Sequence, residues 1–443
     1  MKPSRTLLWM LTAMLVLGVI VGSIQALGIN LPALWQSLGW GLLLALLVAA
    51  AVDALRLQLI ATPEISRSLP GNLALGRWNP VQLHVSHSNA RTLTLEIIDH
   101  VPEAMTVEDL PQSLELPAGK QAHLTYRVRP RQRGLFAFER CEIGMASPLK
   151  LWQARRLVAL PAQTRVYPDF ARLYSAQLMA VDDWLSQLGV RQKPRRGLGM
   201  EFHQLREFRE GDSVRQIDWK ATARKRTPIA REYMDERDQQ LVFMLDCGRR
   251  MRSQDGDLAH FDHALNASLL LSYIALRQGD AVGISAFASE TPRYLAPVKG
   301  AAQLNVILNS VYDLQSSQRP ADYSAAVQTL LKRQRRRALV VLVSNLREED
   351  EAELLGAVKQ LSRQHRVLVA SLREEILDEV RQVPVGTYDS ALAYCGTVDY
   401  LNARNRLHER LTAHGVTVLD ARPSELGPEL VNRYLGWKKS GDL

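Results

Sequence analysis

The chain has 443 residues, 47% hydrophobic and 23% charged, with 55 Lys and Arg against 46 Asp and Glu, a net charge of +9. That composition permits sizeable cores in two or three domains, and its positive surplus suits nucleic acid, an acidic protein or an anionic membrane surface without choosing among them. The three cysteines, Cys141, Cys247 and Cys395, lie far apart; they exclude a disulfide framework and a CxxC site and fit a reducing compartment.

The N-terminus excludes a freely soluble protein. No charged residue occurs between Arg5 and Asp53. Leu7–Leu27 is one apolar span, since about 20 such residues cross the hydrocarbon core. Leu38–Val52 is a second, extendable through Leu31–Ser37. Pro32 breaks the chain between them, and Trp35 stands as an interface anchor. Lys2 and Arg5 precede the first span, and Arg56 and Arg67 follow the second. Short flanks rich in Lys and Arg stay in the cytoplasm. The expectation is a transmembrane hairpin over residues 1–60, a lipid bilayer as partner, and a cytoplasmic remainder. A cleaved signal peptide is the alternative, but Ser23–Ala26 is a poor cleavage site and a second apolar run follows directly.

Residues 61–165 read as β. VQLHVSHS and TLTLEIID alternate with period two, and SLELPAG, HLTYRVRP and GLFAFERCEIG follow between Pro and Gly signals. Five or more short strands at this spacing predict a small antiparallel β-sandwich. His84 and His87 fall on opposite faces of one strand and make no metal site.

Residues 166–239 form a connecting region. VYPDFARLYSAQLMAVDDWLSQLG is helical in part, and RQKPRRGLG (191–199) reads as a basic exposed loop. Next comes REFREGDSVRQIDWKATARKR (206–226), too apolar for a disordered charge run and too charged for a core helix. Asp212 or Ser213 is placed to cap a helix. Val214, Ile217 and Ala221 would then share one face, with Trp219 anchoring a neighbouring one. Arg215 and Asp218, three apart, would pair on the helix surface. The segment is expected to clamp its own domain, with Val214, Ile217 and Trp219 internal. Its outer set, Arg209, Lys220, Arg224 and Lys225, is expected to be exposed and to dock a partner.

From residue 240 to 443 strands alternate with helices. The predicted strands are 241–246, 281–287, 338–345, 366–372 and 416–420. The predicted helices include 261–278, EEDEAELLGAVKQLSRQ and 424–435. Such alternation implies βαβ units and a parallel-type sheet covered on both faces, a Rossmann-like α/β domain. His260, Asp262 and His263 suit a core helix start, with no third ligand. KRQRRR (332–337) reads as a solvated helix end, where cations favour the dipole. No Walker A sequence, Gly-rich dinucleotide turn, HExxH or G-x-S-x-G is present, and no base and oxyanion site accompany any nucleophile.

Two strand ends, MLDCGRRM (244–251) and LVSNLREED (342–350), resemble those of a von Willebrand factor type A domain. That resemblance implies a magnesium site built from an Asp-x-Ser-x-Ser turn, a Thr and a later Asp. The chain keeps Asp246 but has Gly248 and Arg250 at the serine positions and Asn345 at the later Asp position. Asp322 is the nearest oxygen donor where the Thr belongs. Arg249 and Arg250 would each repel a unit charge by roughly 4 kcal/mol at about 4 Å and an effective dielectric of about 20. No functional metal and no other cofactor are expected. Asp246 is expected to form a buried turn or to pair with an arginine.

REFREGDSVRQIDWKATAR resembles the signature of the domain of unknown function fifty-eight, with Arg209, Gly211, Asp212, Arg215, Asp218, Trp219, Lys220, Arg224 and Lys225 in it. FAFERCEIGMASPLKLW and RVYPD agree. The resemblance covers the whole chain: membrane hairpin, β-rich region, signature, then a von Willebrand A-like domain. It implies a bacterial inner membrane and the company of MoxR-type AAA+ ATPases and transglutaminase-like proteins, in assembly or maturation of a complex. The expected function is a membrane-anchored adaptor or scaffold, not an enzyme. A magnesium-dependent A-type ligand-binding protein is the alternative. Nucleic-acid binding is a third reading, disfavoured because acids are interleaved with the bases.

Overall fold

The computed structural model describes residues 1–27, 33–170, 196–209, 217–234, 239–256 and 258–440. The chain divides into two compact units, Met1–Tyr167 and Pro168–Leu443.

In the first unit a short strand, β1 (Lys2–Pro3), leads into α1 (Arg5–Ala26) and α2 (Ala33–Leu59). The Ser4 hydroxyl caps α1 by accepting from the Leu7 N–H. Both helices are long and apolar enough to cross a membrane, and only 6% and 11% of their most apolar windows is buried. The core helix of a water-soluble protein buries such side chains. Here Trp9, Leu15, Leu17, Trp40, Leu42 and Leu44 are more than half exposed.

Near the end of α2, Asp53 is fully buried. It accepts from the Ser147 hydroxyl at 2.5 Å and from the Leu149 and Leu151 N–H groups at 3.0 and 3.3 Å. Trp152 Nε1 donates to the Ala50 carbonyl at 2.8 Å. Arg156 donates to the carbonyls of Ile60 and Leu57 at 2.7 and 3.2 Å, satisfying acceptors that a helix end leaves open. The loop 147–151 is thereby fixed to the base of the helical hairpin.

The strands that follow are β2 (Glu64–Ser68), β3 (Asn72–Ala74), β4 (Asn79–Ser86), β5 (Leu93–Asp99), β6 (Met105–Glu108), β7 (Gln112–Leu116), β8 (Gln121–Pro130), β9 (Gly134–Ala146) and β10 (Trp152–Tyr167). One sheet has the order β1-β10-β9-β5-β7, with β3 also on β10; the other has the order β2-β4-β8-β6. Alternation places Val81, Leu83 and Val85 of β4, and Leu93, Leu95 and Ile97 of β5, inside. The sheets meet at a buried ion pair. Arg67 of β2 donates from Nε to Asp99 of β5 at 2.8 Å and from Nη1 to the Leu160 carbonyl at 2.7 Å. The Tyr126 hydroxyl donates to the same carboxylate at 2.6 Å. Two features differ from the expected short antiparallel strands. β9 and β10 are 13 and 16 residues long, and β3 pairs in parallel.

In the second unit β11 (Arg196–Glu207) and β12 (Ile229–Met234) form an antiparallel pair, with α3 (Trp219–Lys225) between them in sequence. Then come β13 (Gln240–Asp246), the small pair β14 (Gln254–Asp255) and β15 (Leu258–Ala259), α4 (His260–Arg277), β16 (Ala281–Phe287), β17 (Arg293–Val298), α5 (Ala302–Val311) and α6 (Tyr323–Arg333). The unit ends with β18 (Leu339–Ser344), α7 (Glu351–Ser362), β19 (Arg366–Leu372), α8 (Ile376–Gln382), α9 (Tyr388–Ala413), β20 (Thr417–Ala421) and α10 (Leu426–Ser440).

The central sheet runs β17-β16-β13-β18-β19-β20. All neighbours are parallel except the edge strand β17, so the sheet is mixed rather than wholly parallel. Leu241, Phe243 and Leu245 pack against α4, α5 and α10 on one face, and Val242 and Met244 against α6, α7 and α9 on the other. The strand order reverses at β13, so its carboxyl end opens at a topological switch point, where ligands bind in such sheets.

Three expectations for the connecting region are corrected. Arg196–Gly199, read as loop, belong to β11. Ile217 is not helical as expected but makes a β-bridge with Ala230, and the described helix starts at Trp219. Trp219 is 68% exposed rather than internal. Gly211, Asp212, Ser213, Val214 and Arg215 lie outside the described residues, and with them the proposed Arg215–Asp218 pair.

Candidate functional site

Asp246 ends β13 and is 2% exposed. Both its oxygens are engaged. The Gly248 N–H donates to Oδ1 at 2.7 Å, and the Ser344 hydroxyl donates to Oδ2 at 2.6 Å. Tyr323 OH lies 2.9 Å from the Ser344 hydroxyl. Burial pushes the Asp246 carboxyl above the usual carboxylate range, against these two hydrogen bonds and the Arg250 charge. Gly248 is required by close approach: a Cβ there would stand 2.9 Å from Asp246 Oδ1 and 3.0 Å from the Arg319 carbonyl. A serine therefore has no room at this turn.

Arg250 turns to the loop after β18. Its guanidinium pairs with Asp350, and with Glu349 at 2.9 Å. Asp322 caps α6, accepting from the Ala325 N–H at 2.7 Å. Asp246, Gly248, Arg250, Pro320 and Asp350 line a recess of about 50 Å³. A hard divalent cation needs several oxygens in near-octahedral array. These residues do not fit one: the one buried carboxylate is saturated by N–H and O–H donors, and a guanidinium already serves the neighbouring acids. Asp246 is the turn former expected of it, whereas Arg250 bridges two loops rather than pairing with Asp246.

Beside this turn lies a polar network that sequence reasoning missed. Asn345 is fully buried, and its amide donates to Glu374 Oε1 at 2.7 Å. Arg404, in the second half of α9, is 1% exposed. Its Nε and Nη2 donate to Asp420 at 3.0 and 2.7 Å. It also donates to the carbonyls of Leu346 and Leu372 at 2.7 and 2.6 Å and to Ser371 Oγ at 2.6 Å. One side chain thus ties together the carboxyl ends of β18, β19 and β20. Burial pushes the Glu374 carboxyl up, but the Asn345 amide, a backbone N–H and the His260 and Arg404 charges outweigh it and hold it low. His260 pairs with Asp255 at 2.6 Å, which the sequence reading did not anticipate. Arg347, Glu348, Glu349, Tyr400, Arg404 and Arg406 line a cavity of about 350 Å³ above the network. The signal for Arg404 was present: it lies at helical spacing between the buried Leu401 and Leu407, on a core-facing stripe.

The signature segment presents a different surface. Asp218 Oδ1 accepts from the N–H groups of Lys220 and Ala221, both at 3.0 Å, and so caps α3. The Asp218 N–H donates to the Ile229 carbonyl at 2.8 Å, and the Ile229 N–H to Thr222 Oγ1 at 2.9 Å. Ile229 and Ala230 are buried. Backbone and cap bonds therefore hold the helix, leaving Arg209, Trp219, Lys220, Arg224 and Lys225 exposed. Of the expected set, the basic residues stand where predicted and the tryptophan joins them outside.

Elsewhere, His84 projects outward against His123 of β8, ring centroids 4.6 Å apart and edge to face, while His87 turns inward to the Leu116 carbonyl at 3.0 Å. Among the described residues no three His, Cys, Asp or Glu side chains gather as a metal site. Lys332 and Arg333 end α6, so KRQRRR starts at the helix terminus expected of it.

A family described as "Protein of unknown function DUF58" matches residues 204–426. No curated protein matches the chain. Among solved structures, native alpha-2-macroglobulin from Escherichia coli is similar at 18% identity and a TM-score of 0.22, over 25% of this chain and 17% of that one. A FixG-related protein from Vibrio parahaemolyticus is similar at 9% identity and a TM-score of 0.18, over 24% of this chain and 98% of that one. Proximal thread matrix protein 1 from the mussel byssus is similar at 12% identity and a TM-score of 0.28, over 44% of this chain and 47% of that one. Likenesses this low carry no functional argument.

Proposed function

The chain belongs to the DUF58 family, and from that premise we propose that it is a membrane-anchored cytoplasmic adaptor that binds protein partners and catalyses no reaction. The observation that carries this reading is the face of α3. A 68% exposed Trp219 shares with exposed Lys220, Arg224 and Lys225 a short helix held by backbone bonds to β12. An exposed tryptophan and an arginine are residue types enriched at interface centres, and the lysines suit a polar rim. The two exposed apolar helices support anchoring, and Lys2 and Arg5 at the start of the first with Arg56 in the last turn of the second support cytoplasmic ends. The sheet order, with its antiparallel edge next to the second strand, supports a relationship to von Willebrand A domains. The saturated Asp246 and the bridging Arg250 support a version that works without magnesium. The partner class implied by the family resemblance is a MoxR-type AAA+ ATPase acting in assembly or maturation of a complex.

The test is crosslinking of the full chain in native membranes, followed by identification of what is attached. K220E/R224E/K225E and W219A should each lose the attached proteins while melting like the wild type. Attachment that survives both changes overturns the docking role. Magnesium titration by calorimetry tests the metal-dependent alternative, and heat above buffer would favour it.

A further inference from the structure

The 26-residue helix α9 buries Thr397, Leu401, Arg404, Leu407 and Leu411, none of them before Thr397. The stretch Tyr388–Gly396 buries nothing and extends the helix by about 13 Å beyond its packed part. Tyr388 is 81% and Leu392 63% exposed. With the exposed Cys395 they fall at i, i+4 and i+7, one apolar stripe. The preceding turn adds Val383 and Val385, and α8 adds Ile376, each more than half exposed. Exposed apolar side chains concentrated on two consecutive, touching helices mark an interaction site.

The charge around the ridge narrows its occupant. From Glu374 to Asp399 the sequence holds Glu374, Glu375, Asp378, Glu379, Asp389 and Asp399 against Arg381 alone, within a chain of net charge +9. Asp378 is neutralised by Arg373 and Arg422. Glu379, Asp389 and Asp399 are exposed and make no ion pair among the described residues. An anionic bilayer or a nucleic-acid backbone would be repelled. The complementary surface is cationic with an apolar anchor. The same unit displays one: α3, with Trp219 beside Lys220, Arg224, Lys225 and Arg226, all exposed.

We infer that the α8–α9 ridge of one copy receives the α3 face of a second copy, so that the protein associates head to tail. The inference rests on the docking role of α3 and names its occupant. Aromatic and aliphatic anchors meet at the centre, and opposite charges meet at the rim. Because ridge and helix are different patches, the contact is heterologous and propagates into strings or closes into rings. Two membrane helices per copy would confine the partners to one plane and raise their effective concentration.

The test uses the full chain in detergent, with mass measured at increasing concentration. The wild type should form dimers and larger species. K220E/R224E/K225E and E379K/D389K should each weaken association at least tenfold, and the two sets combined in one chain should restore it. A wild type monomeric throughout, or association indifferent to both reversals, overturns the inference. Ala223→Cys gives an independent reading, since Cys141 and Cys247 are buried and Cys395 is exposed on the ridge. Mild oxidation should yield a ladder of covalent multimers that Cys395→Ser abolishes; a product crosslinked only within one chain overturns the inference. A monomeric wild type whose α3 still captures another protein in cells sinks self-association and leaves the adaptor reading standing.

Discussion

Replacing Arg404 with methionine keeps most of the side chain's volume and removes its charge and its donors. The guanidinium is 1% exposed. Its loss leaves the carbonyls of Leu346 and Leu372 and the buried Ser371 hydroxyl without their partner, each a cost of about 1–3 kcal/mol. Asp420 suffers less, because its side chain is 20% exposed and Arg373 lies 3.7 Å away. Breaking a buried pair on one side costs about 3–5 kcal/mol, a large part of the roughly 5–15 kcal/mol that holds a domain folded. For a unit of this size that is a fall of about 6–20 °C in Tm. Thermal melting of the full chain, with hydrogen exchange at the β19 amides to isolate the second unit, measures it. A further Asp420→Asn change should recover part of the loss, since the stranded charge is removed. A fall under about 2 °C, with unchanged exchange in β19, would refute the assignment of Arg404 as the tie between three strand ends.

Three other outcomes follow from the geometry. Millimolar magnesium should leave the wild-type Tm unchanged, and Asp246→Ala should lower it by about 1–3 kcal/mol of stability with the same indifference; a magnesium-dependent rise that vanishes in the mutant contradicts the non-fit of the site. Burial, joined by Arg404 and Arg373 against the pull of Asp420, lowers the His408 pKa to about 4 from its ordinary 6.5. The folded state therefore keeps this imidazole neutral. Its contribution is complete above the unfolded pKa and lost as pH falls toward 4, on the order of 3 kcal/mol. His408→Leu should flatten denaturation midpoints between pH 4.5 and 6.5, and equal slopes would count against the burial argument. Asp53→Leu should release the 147–151 loop, raising hydrogen exchange at Leu149 and Leu151 at least tenfold; unchanged exchange would mean the loop is held without it.

The parts of the fold that were legible are those where one interaction dominates. LVFMLD, AVGISAF and ALVVLVSN are short apolar runs buried on both faces, and each is a strand of the central sheet. β17 escaped because RYLAPV carries a proline, tolerated only because the strand lies at the edge. α9 escaped because it is packed only from Thr397 onward, so the apolar period never runs its length. The start of α3 was misplaced because Asp212 and Ser213 satisfy the capping rule as well as Asp218, the observed cap, which the sequence reading put on the helix surface. The exposure of Trp219 opposed the default that large apolar residues go inside. At the strand ends, Asp246, Gly248, Arg250 and Asn345 were identifiable from position. Their partners were not: Arg250 reaches Asp350, and Arg404 reaches Leu346, across separations that only the folded sheet closes.

The central claim is that the basic, tryptophan-bearing face of α3 docks a protein. It is tested most directly by placing a photo-crosslinking residue at Ala223, on that face, and in a second chain at Arg336, an exposed position after α6, in native membranes. The account predicts discrete protein adducts from position 223 that disappear when Lys220, Arg224 and Lys225 are reversed to glutamate, and none of the same mass from position 336. Adducts indifferent to the reversal, or identical from both positions, would contradict it.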